Sequence, residues 1–260
     1  MEKKYQKIIK ELQKFFKKNN FTKAVLGLSG GIDSSLTLKL AVDALGAENV
    51  VGVLMPETGL TKDENMTHAK GLADYLGVTT YAVPINTALV PFNTTPWRPS
   101  NVAQMNTKAR VRMIILYSFA NTEGAVVLGT SNKSEILLGY GTKHGDAASD
   151  IYVIGDLLKT DVWKMSEFLG LPSEIIEKAP SAELAIGQTD EGELGASYKD
   201  LDKILKAALK ESDDLDNTKE MKRTLEVLIE KGLDPMLTRK VFKLIEDNRH
   251  KSHTPPIIKV

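Results

Sequence analysis

The segment SGGIDS, residues 29–34, follows a short apolar run and is rich in small polar residues. Its adjacent glycines permit a tight turn and let a ligand approach the backbone closely. Serine hydroxyls and the backbone N–H groups at the start of a helix favour an anion, of which a phosphate group is the simplest. The segment lacks the lysine of a Walker A loop, so it must handle phosphate in another way.

Asp33 supplies the one carboxylate of this segment. A carboxylate beside a polyphosphate would repel it unless a divalent cation lay between the two. Asp33 is therefore a candidate Mg²⁺ ligand, since magnesium binds one or two carboxylates together with phosphate oxygens and waters. The alternative is a plain strand-to-helix turn in which Asp33 or Ser34 caps the helix. The segment alone leaves both interpretations open.

A second dense region, LGTSNKSEILLGYGTKHGDAASD (128–150), begins at the end of another apolar run. It places several charged or titratable residues among glycines and small residues, namely Glu135, Lys143, His144, Asp146 and Asp150. This crowding is more than a connecting loop needs. The alternative is a solvated loop with a surface Lys–Asp pair, which contributes little to stability.

The segments that must position these residues alternate between strand and helix patterns. Strands are predicted at 24–28, 50–55, 78–83, 125–130 and 151–155, and helices at 34–45, 63–76 and about 101–122. This alternation predicts an α/β fold with a doubly wound, mostly parallel sheet, whose β-branched strands are buried on both faces. Ligands of such sheets bind beyond the C-terminal ends of the strands, where both dense regions begin.

Outside this core the chain is mainly helical. Apolar residues at helical spacing predict an amphipathic helix at the N-terminus. Four further helices are predicted at 159–169, 198–209, 218–231 and 235–248, and a loop at 84–100. We expect one domain over 1–260, with a nucleotide-binding α/β core at about 24–155 and a mainly helical extension at about 156–260.

Composition excludes several kinds of site and partner. The 34 basic and 34 acidic residues balance, which argues against a broad nucleic-acid-binding surface but leaves a local basic patch open. The chain has no cysteine, so zinc–thiolate sites, iron–sulfur clusters and a cysteine nucleophile are excluded. The longest apolar run, MIILYSFA, is too short to span a membrane, and the N-terminus does not read as a signal peptide. We expect a cytoplasmic protein without a membrane partner.

The SGGIDS segment resembles the SGGxDS pyrophosphate loop of the N-type ATP pyrophosphatases. That resemblance implies cleavage of ATP between its α and β phosphates, giving AMP and diphosphate. Members of this superfamily activate a carboxyl, carbonyl or urea-like group as its adenylate, and a nitrogen or sulfur nucleophile then displaces AMP. The motif does not identify the substrate.

Six further segments resemble motifs of the ammonia-dependent NAD synthetases, in the family's order. They are NTKAR (106–110), GTSNKSEILLGYGTKHGD (129–146), LLKTDV (157–162), PSAEL (180–184), DEGELGASY (190–198) and HKSHTPP (250–256). Together with SGGIDS they cover nearly the whole chain, which coincidence would not produce. The loop PETGLTKDEN (56–65) departs from the family because it lacks the arginine that some relatives place on ATP.

The resemblance implies a set of site residues. ATP would contact Gly27, Leu28, Ser29, Gly30, Gly31, Ile32, Asp33, Ser34, Thr130, Lys159 and Ser181. Deamido-NAD would contact Arg110, Lys143, Asp150, His250 and Lys251. Mg²⁺ would be held by Asp33 and Glu135. Ser181 stands where the family often has threonine, and it keeps the hydroxyl group.

The implied reaction is amidation of deamido-NAD by ammonia at the expense of ATP, through an acyl-adenylate, to give NAD, AMP and diphosphate. It is the final step of NAD biosynthesis. Mg²⁺, held by Asp33, and Lys159 would neutralise the charge on the departing diphosphate. Asp146 is our candidate for the group that binds ammonium and removes its proton.

A homodimer is also implied, with the dinucleotide site near the subunit interface. The predicted helix segment VRMIILYSFA (111–120) is apolar around most of its circumference, which suits burial on several sides. Packing on the sheet alone would explain that equally well.

Other functions remain open at this point. Glutamine-dependent synthetases add a domain with a cysteine nucleophile, and this chain has no cysteine. Another pyrophosphatase-loop amidotransferase or a tRNA-modifying enzyme would keep SGGIDS, but neutral charge argues against tRNA and the TKHGD region argues against both. A nucleotide sensor without activity would have no reason to keep Asp33, Glu135 and Lys159 together.

Overall fold

The computed structural model describes every residue except Ile186, Asp213 and Val260. Five parallel strands form one sheet in the order β3-β2-β1-β4-β5. The strands are β1 (Lys23–Gly27), β2 (Val50–Leu54), β3 (Thr79–Ala82), β4 (Ala125–Gly129) and β5 (Ile151–Tyr152). The predicted doubly wound α/β sheet is confirmed. Its strand order reverses between β1 and β4, which is where such sheets bind ligands.

Helices enclose the sheet and continue beyond it. The helices near the sheet are α1 (Glu2–Asn19), α2 (Ile32–Leu45), α3 (Asp63–Tyr75), α4 (Asn86–Leu89), α5 (Asn101–Glu123), α6 (Lys133–Leu138), α7 (Lys159–Phe168) and α8 (Ser173–Ile176). Those of the C-terminal part are α9 (Asp190–Leu194), α10 (Tyr198–Glu211), α11 (Thr218–Glu230) and α12 (Pro235–Asn248). Short 3₁₀ turns lie at Ala47–Asn49, Val90–Thr94 and Arg249–Lys251. No helix of the described residues is long and apolar enough to cross a membrane.

Alternate side chains of the central strands pack into two layers. Ala24 and Leu26 of β1 lie in the cluster that contains α1, α2 and α7, whereas Val25 lies in the cluster covered by α5. A third cluster joins α10, α11 and α12, and these helices contact the rest of the chain through α6 and α7. The helical C-terminal part therefore reaches the sheet through the helices that follow β4 and β5.

The edge strand β3 contradicts one prediction. We expected the strands to be buried on both faces, but three of the four β3 residues are exposed, and Tyr81 is 50% exposed. An edge strand pairs on one side only, so its apolar and β-branched residues gain less burial than the pattern suggests.

The predicted loop at 84–100 and three connecting segments contain short helices that periodicity did not indicate. The loop holds α4 and the 3₁₀ turn Val90–Thr94, and the missed helices elsewhere are α6, α8 and α9. Each has at most six residues. A helix of that length shows less than two turns of apolar repeat, and its stability comes from caps and tertiary packing.

Candidate active site

The predicted phosphate-binding loop, SGGIDS (29–34), is folded by its own serines. Ser34 Oγ donates to the carbonyl of Gly31 at 3.1 Å and accepts from Ser29 N at 3.3 Å. Gly30 has φ of +75°, and a Cβ there would lie 2.3 Å from the carbonyl oxygen of Asn65. Glycine is therefore required at position 30 both by backbone conformation and by the closeness of α3.

The loop after β4 carries a capping box that also contacts the phosphate-binding loop. Asn132 Oδ1 accepts from Glu135 N at 3.0 Å, and Glu135 Oε2 accepts from Asn132 N at 3.2 Å. The remaining amide group of Asn132 donates to Asp33 Oδ1 at 2.9 Å. One short helix end thus orients the Glu135 carboxylate and joins the loops after β1 and β4.

Lys159, the first residue of α7, completes this cluster. Its side chain is 1% exposed, and its ammonium group contacts Asp33 Oδ2 and lies 3.5 Å from Glu135 Oε1. The structure therefore brings together the three predicted residues Asp33, Glu135 and Lys159. They come from the helices that follow three different strands.

Burial and the neighbouring Asp33 charge shift the pKa in the same direction at Glu135 and in opposite directions at Lys159. Burial and then the neighbouring Asp33 charge raise the pKa of Glu135 to about 8. Burial alone would lower the pKa of Lys159, but the charges of Asp33 and Glu135 outweigh it, and the pKa is raised. Lys159 consequently stays an ammonium ion at neutral pH.

The cluster lies in a cavity of about 680 Å³ at the C-terminal ends of the strands. The predicted site residues that line it are Gly27, Leu28, Ser29, Gly31, Ile32, Asp33, Ser34, Thr130, Glu135, Asp146, Lys159, Ser181 and Lys251. Gly30 does not line it and lies buried against Asn65. Most of the residues predicted to bind ATP thus share one cavity with Asp146, the residue predicted to bind ammonium.

Asp146 faces this cavity from the loop after α6. Its Oδ1 accepts from Thr142 N at 2.9 Å. The residue stays exposed to solvent in the cavity, but crowding by surrounding protein raises the pKa of its carboxyl group, and the hydrogen bond from Thr142 opposes that rise. Lys251 reaches the same wall by donating to the carbonyls of Gly139 at 2.7 Å and Gly141 at 3.1 Å.

Four of the predicted deamido-NAD residues lie outside the cavity. Arg110 is exposed and donates from its guanidinium to the carbonyl of Lys143 at 3.1 Å. Lys143 in turn donates to the carbonyl of His250 at 2.5 Å. The Asp150 carboxylate accepts from Val127 N at 2.8 Å and from the Tyr117 hydroxyl at 3.2 Å. Hydrogen bonds thus link Arg110 to Lys143 and Lys143 to His250 beside the cavity. The hydrogen bonds of Asp150 go to other residues.

A sequence profile described as NAD synthase matches residues 4–255 of the chain. The chain belongs to the NAD synthase family. It is 45% identical to an NH(3)-dependent NAD(+) synthetase of Methanocaldococcus jannaschii, over 98% of this chain and 96% of that protein.

Two solved structures of similar sequence also share the fold over the full chain. The NH3-dependent NAD synthetase of Campylobacter jejuni superposes with a TM-score of 0.81 and 31% identity, covering 99% of both chains. An NMN synthetase of Francisella tularensis superposes with a TM-score of 0.84 and 28% identity, covering 100% of this chain and 99% of that one.

Several residues of this NAD synthase site were not predicted from sequence. They are Arg112, Asn132, Tyr140, Lys178 and Asp190, all of which line the cavity or contact the carboxylate cluster. Helical geometry offered one signal: residues two apart on a helix point in nearly opposite directions, so Arg110 and Arg112 cannot face the same side. Arg112 is the one that faces the cavity, where its Nε donates to the carbonyl of Met55 at 3.1 Å.

The segment after α8 closes one side of the cavity. Ser181 Oγ donates to the carbonyl of Gln188 at 2.7 Å and accepts from Glu183 N at 3.1 Å. Glu183 pairs with Lys178 at 3.2 Å and accepts from the amide of Asn65, the residue packed on Gly30. The segment that carries Ser181 is thus held against the phosphate-binding loop.

Proposed function

We propose that the protein catalyses the ATP-dependent amidation of deamido-NAD by ammonia, giving NAD, AMP and diphosphate through an acyl-adenylate. It is then a ligase that forms a carbon–nitrogen bond in the final step of NAD biosynthesis. The observation that carries the proposal is the contact of the Lys159 ammonium with both Asp33 and Glu135 at the SGGIDS loop. Full-length similarity to an NH(3)-dependent NAD(+) synthetase supports the choice of substrate and nitrogen donor.

Mg²⁺ is the metal that this donor set fits best. No group of three or more His, Cys, Asp or Glu side chains in the described part of the chain is arranged to hold a metal. Magnesium does not need such a group, because it takes one or two carboxylates and completes its shell with phosphate oxygens and water. Asp33 and Glu135 would hold it. When bound, it would offset the negative charge of the ATP phosphates.

The protein's own groups would act mainly by position and charge during adenylate formation. The nicotinate carboxylate of deamido-NAD attacks the α-phosphorus of ATP, and the bond to diphosphate breaks. The SGGIDS loop presents backbone N–H groups to the phosphates, and the Lys159 ammonium neutralises charge on the leaving diphosphate. Because Lys159 is buried and fixed, this neutralisation needs little rearrangement during the reaction.

Ammonia would attack the carbonyl carbon of the adenylate in the second step, and AMP would leave. Ammonium is the abundant form near neutral pH and has no lone pair. A carboxylate facing the cavity can bind ammonium and accept its extra proton, and we assign this role to Asp146. Its raised pKa suits a base better than that of an ordinary aspartate.

We propose that deamido-NAD extends from the cavity across the linked residues Arg110, Lys143 and His250, with Lys251 and Asp150 nearby.

We also propose a homodimer. Arg110 precedes Ile114 by one turn of α5, so both lie on one side of the helix, and Ile114 is 58% exposed. Trp97 and Val102, just before and within the start of α5, are 65% and 60% exposed. A second subunit would bury these apolar side chains beside the dinucleotide.

The remaining parts of the proposal concern organisation and location. Residues 1–260 would act as one domain, because the C-terminal helices supply Lys251 and Asp190 to the same cavity as the α/β core. The enzyme would work in the cytoplasm, where its substrates ATP and deamido-NAD are available. Its partners would be small molecules and a second copy of the chain, without nucleic acid.

The deciding experiment is an assay of purified protein with ATP, Mg²⁺, deamido-NAD and ammonium, in which NAD and AMP are both quantified. Equal yields of NAD and AMP are expected. The similarity to an NMN synthetase makes a second arm necessary, with the deamidated mononucleotide in place of deamido-NAD. Preference for the mononucleotide, or AMP release without amidation, would refute the proposed substrate or the proposed reaction respectively.

A further inference from the structure

Tyr198, the first residue of α10, is fully buried between two side chains of α7. The Lys159 ammonium lies over its ring at 5.1 Å from the centroid. Trp163 packs edge-on against it, with centroids 6.3 Å apart and planes at 80°. Lys159 and Trp163 are one turn apart, so both contact the Tyr198 ring from a single face of α7.

The ring of Tyr198 is fixed at its far end by a buried carboxylate. Its hydroxyl donates to Asp190 Oδ2 at 3.3 Å, and the Tyr140 hydroxyl donates to Asp190 Oδ1 at 3.1 Å. Asp190 is 4% exposed. Burial, together with the nearby Glu135 and Asp190 charges, raises the pKa of Tyr198, so the hydroxyl remains a donor.

The same helix also fixes the backbone of Lys159. Asp202, one turn after Tyr198 on α10, accepts from Thr160 N at 2.7 Å and from the hydroxyl of Ser134 at 2.5 Å. Ser134 Oγ accepts from Lys159 N at 2.9 Å. The side chain and the main chain of Lys159 are therefore both held from one face of α10.

We propose that Tyr198, anchored by Asp190, is a positioning residue that directs the Lys159 ammonium toward the leaving diphosphate. This inference rests on the proposed function. A lysine side chain is flexible, and Asp33 and Glu135 would hold its ammonium less firmly if they also held a metal ion. The aromatic ring is a contact that metal binding does not remove, and a desolvated ammonium over such a ring is strongly held.

A purely structural role of Tyr198 predicts a different outcome from a positioning role. Loss of the packing that Tyr198 itself makes beside the site would weaken all nucleotide binding and lower thermal stability. Loss of Lys159 positioning would act selectively on groups that occupy the diphosphate position and would spare AMP, which lacks the β and γ phosphates. The two ligands AMP and Mg–diphosphate therefore separate the roles.

The test uses the full chain with Tyr198→Phe, which keeps the ring, and Tyr198→Leu, which removes it. Leu228→Ala is the matched control, because Leu228 is fully buried in the same helical cluster. Calorimetric titration with Mg–diphosphate should give a dissociation constant about tenfold higher for Tyr198→Leu and roughly threefold higher for Tyr198→Phe. Binding of AMP should be unchanged in both, and Leu228→Ala should alter neither ligand.

Unchanged diphosphate binding in the folded variants, or parallel loss of AMP and diphosphate, would overturn the assignment. If Tyr198→Leu does not fold, the isosteric Tyr198→Phe decides by the same criteria. A wild-type protein that binds both ligands but makes no NAD from deamido-NAD refutes the proposed function instead. In that case the binding comparison still reports on Lys159.

Discussion

The carboxylate of Glu135 lies 3.5 Å from the ammonium of Lys159, although the two residues belong to the separate helices α6 and α7. The Asp33 carboxylate contacts the same ammonium. Lys159 partly offsets the repulsion between these two acidic groups, and the raised pKa of Glu135 shows that burial and repulsion are not fully compensated. We infer that the same two oxygens become available to Mg²⁺ when ATP brings its own negative charge.

Asp33→Asn and Glu135→Gln should each lower turnover by about 10²-fold or more, because each would remove one proposed charged ligand of Mg²⁺. The double variant should lose less than the product of the two single effects if both residues bind one ion. Rates are to be measured over a titration of Mg²⁺.

Asp156→Asn is the control for this pair. Asp156 pairs with Lys133, at the start of α6, but its side chain is 87% exposed. Its loss should leave the dependence of the rate on Mg²⁺ unchanged. Near-normal activity of Asp33→Asn at limiting Mg²⁺ would contradict the metal assignment.

Arg110→Ala should raise the KM for deamido-NAD about tenfold or more while leaving the KM for ATP nearly unchanged. Arg110 lies outside the cavity that holds the ATP residues and is joined to Lys143 and His250. Lys143→Ala should act in the same direction. Initial rates with one substrate varied at a time provide the measurement, and Arg223→Ala, an exposed arginine on α11, provides the control. A rise in the KM for ATP alone would refute the assignment.

Asp202→Ala should destabilise the fold by about 2–4 kcal/mol, because it leaves the buried Ser134 hydroxyl and the half-buried Thr160 N–H without their acceptor. Urea denaturation gives the free energy of unfolding. Asp247→Ala removes an exposed carboxylate that pairs with Lys243 at 3.6 Å, and it should change stability by less than about 0.5 kcal/mol. Equal effects of the two variants would mean that the buried network contributes no more than a surface pair.

The two dense motifs and the sheet were predictable from sequence because they depend on local patterns. Strand periodicity placed β1 and β4, and parallel pairing then required the segments after them to lie at one edge of the sheet. The SGGIDS loop and Glu135 follow these strands, so their proximity follows from topology. Lys159 was assigned by resemblance alone, although a strand at 151–155 and a helix at 159–169 were predicted around it. The strand is shorter in the structure, where β5 has only two residues.

The supporting residues were not predictable, because their roles depend on distant contacts. Asn132 caps α6, a helix that periodicity did not indicate, and its amide donates to Asp33 across the site. Asp190 begins α9, which periodicity did not indicate, and Tyr198 begins the predicted helix at 198–209. Their contacts with each other and with Lys159 arise because α10 packs on α7. No spacing along the chain encodes that packing. The exposure of Ile114 was likewise not predictable, because the apolar pattern of its helix fits burial against the sheet equally well.

Ile114→Glu should convert the proposed dimer to a monomer and lower activity with deamido-NAD. A charge on an apolar face of α5 that a second subunit covers cannot be desolvated without a partner. Sedimentation velocity at assay concentration measures the state. Tyr75→Glu places the same charge on an 86% exposed apolar residue of α3 and should have no effect. A wild-type protein that is active as a monomer would refute the dimer.

The role of Asp146 can be tested through pH and the nitrogen donor. If free ammonia were the nucleophile, the rate at fixed total ammonium would rise with pH in proportion to the unprotonated fraction. If the Asp146 carboxylate binds ammonium and removes its proton, the enzyme selects the abundant species, and the dependence is shallower. Because crowding by the surrounding protein raises the pKa of Asp146, its carboxylate is protonated on acidification at a higher pH than in a free aspartate, and the rate should fall there.

Asp146→Asn should therefore restore the steep dependence, lose the acid limb and lower activity near neutrality, while adenylate formation measured by diphosphate exchange is spared. The stability of the Asp146→Asn variant provides an internal control. A raised native pKa means that the protonated form is the one the fold favours, so stability from this group is lost as pH rises through that pKa. Asparagine resembles the protonated form and can still accept from Thr142 N, so the variant should be at least as stable as the wild type at pH 7.

Glutamine should not replace ammonium in either protein, because no cysteine is available to release its amide nitrogen. Wild-type ammonium kinetics across pH in Asp146→Asn would remove Asp146 from the mechanism, and efficient use of glutamine would overturn the ammonia-dependent reaction.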